Sequence, residues 1–233
     1  MKNPIVGLIE RSLARFKKFH AAYPQFFPEQ NNLYPIPFFG DIRKAEVLTL
    51  ALNPAWTEFR QGSRHERHWV PGLDACALAT RLLYYFDLPA PPPHRWFKDR
   101  REALATLGCS YEVNAAHIDL HPLPTKFRKD LTEPQRNTIG GLIETHSASH
   151  LAALLQLAPK AKSVLVVDYT FSKSDGTTAK TSDFISTHQP IAELLQLTGN
   201  RLRVYFAGET NQFEARIAEC RDTLRKHLRA TNP

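Results

Sequence analysis

The chain has 233 residues, of which 42% are hydrophobic and 23% are charged. This composition is typical of a soluble globular protein and excludes a wholly disordered or collagen-like chain. A chain of this length buries enough surface to fold without a disulfide or a metal ion. We therefore expect one domain over residues 1–233, with an N-terminal helix and an aromatic loop (residues 1–45) packed on it.

Charge and cysteine content indicate the partners and the compartment. The 30 basic residues exceed the 23 acidic ones, giving a net charge of +7 that favours polyanions such as DNA. Cys76, Cys109 and Cys220 lie far apart, which is typical of a reducing compartment, so we expect a cytoplasmic protein. Because an iron–sulfur cluster usually takes four cysteines and a membrane helix takes about 20 apolar residues, we expect neither a cluster nor a membrane partner.

Helical and strand patterns alternate along the chain. Apolar spacing predicts helices over residues 4–22, 73–86, 99–107, 132–158, 190–197 and 213–228. Short apolar runs predict strands over residues 46–52, 111–118, 163–168 and 203–207, and the polar segment 169–184 predicts a loop. This alternation predicts an α/β fold, a three-layer α/β/α sandwich around a four-stranded parallel sheet.

Ligands of parallel sheets bind beyond the carboxyl ends of the strands. Asn53, residues 117–125, Asp168 and residues 208–211 follow the four predicted strands there. The chain has no P-loop, GxGxxG or GxSxG motif, which argues against the usual nucleotide-dependent enzymes and serine hydrolases. His117 and His121 share a strand face with the intervening Asp119, but no further cluster completes a metal site, so we expect no metal and no cofactor.

Two clusters of basic residues, the first of which includes Trp69, follow the first and second predicted strands at this same edge. Phosphate contacts need Arg or Lys, and an unstacked base needs an aromatic platform. We therefore predict DNA contacts from Arg60, Arg64, Arg67, Lys126, Arg128 and Lys129. The stretch that contains Arg60, Arg64 and Arg67 also has the composition of an ordinary solvated loop, and that alternative stays open.

The segment around the first strand resembles the opening of the uracil-DNA glycosylase superfamily. In that family the strand ends in a motif of the type G-x-N-P-G, whose polar residue positions the attacking water. Residues 51–55 read ALNPA, so Asn53 and Pro54 match while alanine occupies both glycine positions. The resemblance implies that Asn53 is the catalytic residue; the alternative is that Asn-Pro simply makes a turn.

The same resemblance implies a set of base-binding residues. The family's second strand carries an asparagine that binds the Watson–Crick edge of a flipped base, and YEVNAAHIDL places Asn114 there. The alternative for Asn114 is an amide bonded to neighbouring backbone. The family's stacking aromatic corresponds to Trp69, with Phe59 as the second choice.

The loop after the fourth strand departs from the family. Its H-P-S histidine, which stabilises charge on the leaving base, has no counterpart in residues 208–212, which read GETNQ. Glu209 opposes such charge when it is ionised, whereas Thr210 and Asn211 supply weaker neutral donors. Either His117 or His188 takes over the role, or uracil excision is lost or altered.

The resemblance as a whole implies a DNA base-excision glycosylase with a sheet of order 2-1-3-4 and weak or altered activity on uracil. One alternative is a non-catalytic nucleic-acid or nucleotide-binding module on the same fold. Another is an enzyme that acts on free nucleosides. The oligomeric state does not follow from the sequence.

Overall fold

A mostly parallel sheet of five strands lies at the centre of the computed structural model, which describes residues 3–27, 33–54, 72–87, 95–125, 130–197, 202–209 and 212–230. The described strands are β1 (Phe38–Phe39), β2 (Val47–Ala51), β3 (Ala115–Asp119), β4 (Ser163–Asp168), β5 (Thr170–Ser172), β6 (Thr178–Lys180) and β7 (Arg203–Glu209). The sheet order is β1-β3-β2-β4-β7, while β5 and β6 form a separate hairpin.

The strand pairs show which part of the sheet the sequence pattern missed. β2 pairs in parallel with β3 and with β4, and β4 pairs in parallel with β7. The edge strand β1 pairs antiparallel with β3, Phe38 opposite Ile118. The prediction of a four-stranded, wholly parallel sheet was therefore wrong, because a strand of two residues is too short to produce an alternating pattern.

Helices separate the strands, an arrangement compatible with an α/β/α sandwich. The described helices are α1 (Pro4–Ala22), α2 (Ala75–Leu83), α3 (Arg95–Thr106), α4 (Glu133–Leu157), α5 (Thr181–Thr187), α6 (Gln189–Leu197) and α7 (Phe213–Ala230). The predicted bounds of α1 are confirmed, and the predicted start of α4 is also correct. There the Thr132 N–H donates to Gln135 Oε1 at 2.8 Å, as the spacing of a capping box predicts.

Residues 169–184 form a hairpin and the start of a helix, so the predicted loop is wrong. Tyr169 joins β4 to β5, Gly176 adopts a positive φ of 83° between β5 and β6, and α5 follows directly. Backbone pairing stabilises a segment in which most of the side chains are polar; Phe171 and Phe184 are the buried apolar anchors. A short polar strand of this kind has no apolar alternation to identify it.

The buried apolar side chains form one cluster that extends from Ile5 on α1 to Leu228 on α7. All five residues of β2 and of β3 are buried. A strand covered on both faces is typical of a parallel sheet between helical layers. Within the part of the chain that the structure describes, no helix combines the length and the apolar character that crossing a membrane requires.

Candidate functional site

A cavity of about 430 Å³ lies at the carboxyl ends of β2, β3 and β4. The volume is within the range of about 300–1,000 Å³ that is usual for small-molecule sites. The strand ends, α3, α4 and the β5–β6 hairpin line it, through Ala51, Asn53, Trp96, His117, Asp119, Thr125, Arg136, Gly140, Tyr169, Phe171 and further mostly apolar residues. It therefore occupies the sheet edge at which the sequence predicts a ligand.

Asp119 is a buried carboxylate within this cavity. It ends β3 opposite Ala51 of β2, and its residue is only 1% exposed. Neither of its oxygens accepts a hydrogen bond from any described residue, although His117 Nε2 lies 3.4 Å from Oδ2. Because buried polar atoms normally have partners and a buried charge is expensive without them, an unsatisfied carboxylate in a cavity points to a ligand.

A chain of polar contacts holds His117 beside Asp119. Thr49 lies opposite His117 in the sheet, and its Oγ1 is 3.0 Å from His117 Nδ1 and 2.9 Å from the Tyr111 hydroxyl. Burial raises the pKa of Tyr111, so its phenol stays protonated and can donate a hydrogen bond to Thr49 Oγ1. If Thr49 in turn donates to Nδ1, all three groups are satisfied and the Nε2–H of His117 faces Asp119.

Aromatic rings form a second part of the cavity lining. The Trp96 Nε1–H donates to the Tyr169 hydroxyl at 2.6 Å, which joins α3 to the segment after β4. The Trp96 ring lies 4.4 Å from the His117 ring. Behind it, the fully buried Arg100 guanidinium lies 4.9 Å from the Trp96 ring and 4.4 Å from the Phe213 ring, a cation–π contact on both sides.

Burial lowers the pKa of Arg100, and its guanidinium nitrogens have no hydrogen-bond partner among the described residues. The two rings stabilise this charge by cation–π contact, and the nearby carboxylates of Asp99 and Glu214 favour it as well. Arg100 is not one of the described residues that line the cavity, and it packs against the Trp96 ring, which is.

Asn53 lies just beyond β2 and lines the same cavity. Its Nδ2 donates to Thr125 Oγ1 at 3.2 Å and to the Pro54 carbonyl at 3.3 Å. No described residue donates to its Oδ1. The amide is thus anchored through its nitrogen, which leaves the oxygen as an acceptor for a water molecule or a ligand.

The close approach of α4 to the hairpin closes another side of the cavity. A Cβ atom built at Gly140 would overlap the carbonyl oxygen of Ser172. Both residues line the cavity, together with Arg136 one turn earlier on α4. The Arg136 Nη1 donates to the Leu131 carbonyl, which places a cationic group at the cavity. Glycine at position 140 is therefore required by the contact between two backbones.

Asn114 is not part of this site, so its predicted meeting with Asn53 is wrong. It precedes β3, and its carbonyl accepts from the Glu46 N–H at the amino end of the sheet. Its Oδ1 accepts from the Ser110 N–H at 3.1 Å, which is the alternative role of an amide bonded to local backbone. The strand begins four residues later than predicted because residues 111–114 form a turn.

The structure places the remaining predicted residues as follows. His117 lines the cavity as expected. Glu209 ends β7, is exposed, and has its Oε1 3.6 Å from Lys180 Nζ; it is not among the described lining residues. His188 packs against Phe184, with 4.6 Å between the ring centres, and is likewise not among them. Outside the described residues lie Trp69, Phe59, Thr210, Asn211, Arg60, Arg64, Arg67, Lys126, Arg128 and Lys129.

Sequence reasoning did not identify Asp119, Trp96 and Tyr169 as residues of this cavity. The signal for Asp119 was its position two residues after His117, on the same face at the end of an apolar run. Tyr169 directly follows the third predicted strand, which is also an edge position. Nothing in the sequence indicated that Trp96, far away along the chain, would reach the same edge.

No protein-family model matches this chain, and a search of curated proteins found no match either. Among the described residues, no group of three or more His, Cys, Asp or Glu side chains is arranged to hold a metal ion. The function must therefore be argued from the chemistry of the cavity itself.

Proposed function

We propose that the cavity binds a nucleobase flipped out of DNA, and that the protein is a base-excision glycosylase with a uracil-DNA glycosylase-like fold. The observation that carries the proposal is the presence of Asn53, Asp119 and a set of aromatic rings in one cavity at the carboxyl edge of the sheet. The pairing of the parallel strands in the order β3-β2-β4-β7, which is 2-1-3-4 along the chain, supports the fold.

The size and lining of the cavity suit a planar base. Trp96 and Tyr169 offer ring faces on which a base can stack, and Asn53 and Asp119 offer acceptors for its polar edge. A base inside a duplex cannot reach such a pocket, so it must leave the stack first. Arg136 at the cavity, and the net charge of +7, favour a polyanionic partner.

Asn53 is the proposed catalytic residue. Its Oδ1 would accept a hydrogen bond from a water molecule and orient the lone pair of that water towards C1′ of the sugar. The C1′–N bond breaks with its electron pair going to the base, a C1′–O bond forms, and the water then loses a proton to solvent. A neutral amide can orient the water without deprotonating it, so the oxocarbenium character of the sugar must develop first.

Base release from DNA tests the proposal. Oligonucleotides that carry single uracil, guanine or damaged bases are incubated with the protein, and abasic sites are detected by alkaline cleavage. We expect Asn53→Ala to abolish release and leave DNA affinity within about twofold, because the amide contacts water rather than phosphate. Gln189→Ala removes an exposed amide outside the cavity and is the matched control.

The same DNA is used to measure affinity at low and high salt. Counterion release by several Lys and Arg makes the affinity fall as the salt concentration rises. Undetectable binding at low salt would remove DNA as the partner. Release that persists in Asn53→Ala would show that the amide does not hold the attacking water.

A binding module without chemistry is the second candidate. Two observations favour it: residues 208–212 lack the histidine of the family, and Asp119 is an acid where the leaving base would gain negative charge. A carboxylate near a leaving anion raises the barrier rather than lowering it. Salt-dependent DNA affinity without release of any base would favour this candidate over the enzyme.

A further inference from the structure

We infer that Asp119 selects a base with two adjacent N–H donors, as on the N1–H and 2-amino edge of guanine, and disfavours uracil and thymine. The inference rests on the proposed function, because it names the base that the cavity would take. Its basis is a carboxylate that is 1% exposed, lines the cavity and accepts no hydrogen bond from a described residue, although His117 Nε2 lies 3.4 Å from Oδ2.

The hydrogen-bonding capacity of the group determines the edge that fits. An ionised carboxylate only accepts, through two oxygens about as far apart as two neighbouring N–H groups on a planar molecule. The N1–H and 2-amino group of guanine match this pair of acceptors. Uracil presents one N–H between two carbonyl oxygens, so at least one oxygen of Asp119 would face another acceptor.

The surroundings of Asp119 hold the carboxylate in place for such an edge. His117 Nε2 is 3.4 Å from Oδ2, and the contact of Nδ1 with Thr49 keeps the imidazole oriented. Oδ1 lacks even that neighbour.

The aromatic part of the cavity completes the match to a flat molecule. Trp96 and Tyr169 are joined by a hydrogen bond between Nε1 and the hydroxyl, so the two rings are held together at the cavity. A purine stacked on one of these rings would leave its polar edge free for the acceptors that line the same cavity, Asp119 among them.

Calorimetric titration with three nucleosides tests the inference on the intact wild-type chain. Guanosine and inosine differ only by the 2-amino group, and uridine supplies the opposite edge pattern. Because hydrogen bonds to charged groups are strong, we expect guanosine to bind about tenfold to a hundredfold more tightly than inosine, with uridine weakest.

Asp119→Asn is the matched variant, because it keeps the shape of the side chain and replaces one acceptor by a donor. We expect it to bind guanosine and inosine equally, since an amide pairs with the N1–H and the 6-oxo group that both share. Thermal unfolding verifies that the variant is folded. The wild-type comparison stands on its own should the variant fail to fold.

Equal affinity of the wild type for guanosine and inosine, or no guanosine binding at millimolar concentration, would overturn the inference. An unchanged preference for guanosine in folded Asp119→Asn would overturn it as well. DNA affinity and Asn53-dependent base release do not depend on this selectivity. If they persist without a guanosine preference, the proposed function stands while this inference fails.

Discussion

The two ends of the central sheet differ in how their buried charged and imidazole side chains are satisfied. At the amino end, Lys162 Nζ donates to the Leu228 carbonyl at 2.9 Å and to Glu46 Oε1 at 3.3 Å, and His227 Nε2 lies 3.0 Å from the Lys162 carbonyl. At the carboxyl end, Asp119 and His121 have no hydrogen-bond partner among the described residues.

This difference separates polar groups that stabilise the fold from those available for binding. A buried group with protein partners contributes to stability, and its removal leaves those partners unsatisfied. A buried group without partners reduces stability, so its presence in a cavity is best explained by a ligand. The comparison therefore predicts opposite consequences for substitutions at the two ends.

The largest expected effect is the loss of stability in acid. It tests whether the buried imidazole of His121, at the carboxyl end, lacks a partner. Burial lowers the pKa values of His121 and His150 from 6.5 to about 3; Arg15 adds to both shifts, and His150 and His146 add to that of His121. When a histidine has a lower pKa in the folded state, the fold is most stable above pH 6.5, where the imidazole is neutral in both states, and it loses stability as the pH falls towards 3 because only the unfolded state binds the proton. We expect a loss of about 2 kcal/mol per histidine between pH 7 and pH 5.

Urea unfolding at several pH values between 7 and 5 measures this loss. His121→Phe should reduce the slope of the free energy of unfolding against pH by the contribution of about one proton. This holds whatever the effect of the substitution on stability at pH 7. A free energy of unfolding that stays constant over this interval would contradict the lowered pKa values, because it would mean that both imidazoles can bind a proton in the folded state.

The next effect concerns the side of the cavity formed by α4. Gly140→Ala pushes a methyl group into the Ser172 carbonyl, and we expect it to destabilise the fold by about 1–3 kcal/mol and to distort the cavity. Gly141→Ala is the matched control, because its Cβ would lie 3.4 Å from the Ser174 Cβ in ordinary contact.

Thermal unfolding of the two alanine variants measures the contrast. The control should be neutral or stabilised by about 0.5–1 kcal/mol, because alanine is the better helix former. Equal melting temperatures for the two variants would contradict the close backbone approach at position 140.

At the amino end, Lys162→Met tests whether satisfied polar groups carry stability. It removes the ammonium from Glu46 and from the Leu228 carbonyl, and we expect the free energy of unfolding to fall by about 1–3 kcal/mol. Lys160→Met, on an exposed side chain two residues earlier, should change it by less than about 0.5 kcal/mol. DNA affinity should be affected similarly by both, because each removes one positive charge.

The smallest change in the free energy of unfolding is expected for Asp119→Asn. It alters a buried group without hydrogen-bond partners in the described part of the chain, whereas Lys162→Met removes a group that has them. Asp119 accepts no hydrogen bond from a described residue, and the variant keeps the shape of the side chain, so the free energy of unfolding should stay nearly equal. Chemical unfolding measures it. A large loss would show that Asp119 has a structural role, which would remove the contrast between the two ends.

The sequence correctly predicted a pocket at the carboxyl ends of the strands, but it wrongly assigned Asn114 to that pocket. Strand β2 and Asn53 were found because an apolar run stops abruptly at Asn-Pro, a strong local signal. Asn114 was misplaced because the turn at residues 111–114 is made by backbone and amide hydrogen bonds that leave no apolar pattern. One strand carries side chains to both ends of a sheet, so an error of a few residues in its start moved a proposed ligand contact to the opposite end.

The contribution of α3 to the cavity was beyond reach of the sequence for a different reason. Trp96 arrives there through tertiary packing, held by the Arg100 guanidinium and by the Tyr169 hydroxyl. The Arg100 contact is an i,i+4 pair within α3, but the Tyr169 contact does not follow from spacing along the chain, since residues 96 and 169 are 73 positions apart. Local patterns determine the elements, but they do not determine which helix covers which strand end.

The contact between α4 and the hairpin also constrains how this cavity can change over evolutionary time. Where two backbones touch, as at Gly140 and Ser172, position 140 cannot accept a side chain. Variation in ligand preference must therefore arise at the other lining residues, among them those at the strand ends and on α3. Position 119 is the most economical place for it, because a single nucleotide change converts Asp to Asn and exchanges an acceptor for a donor without changing volume.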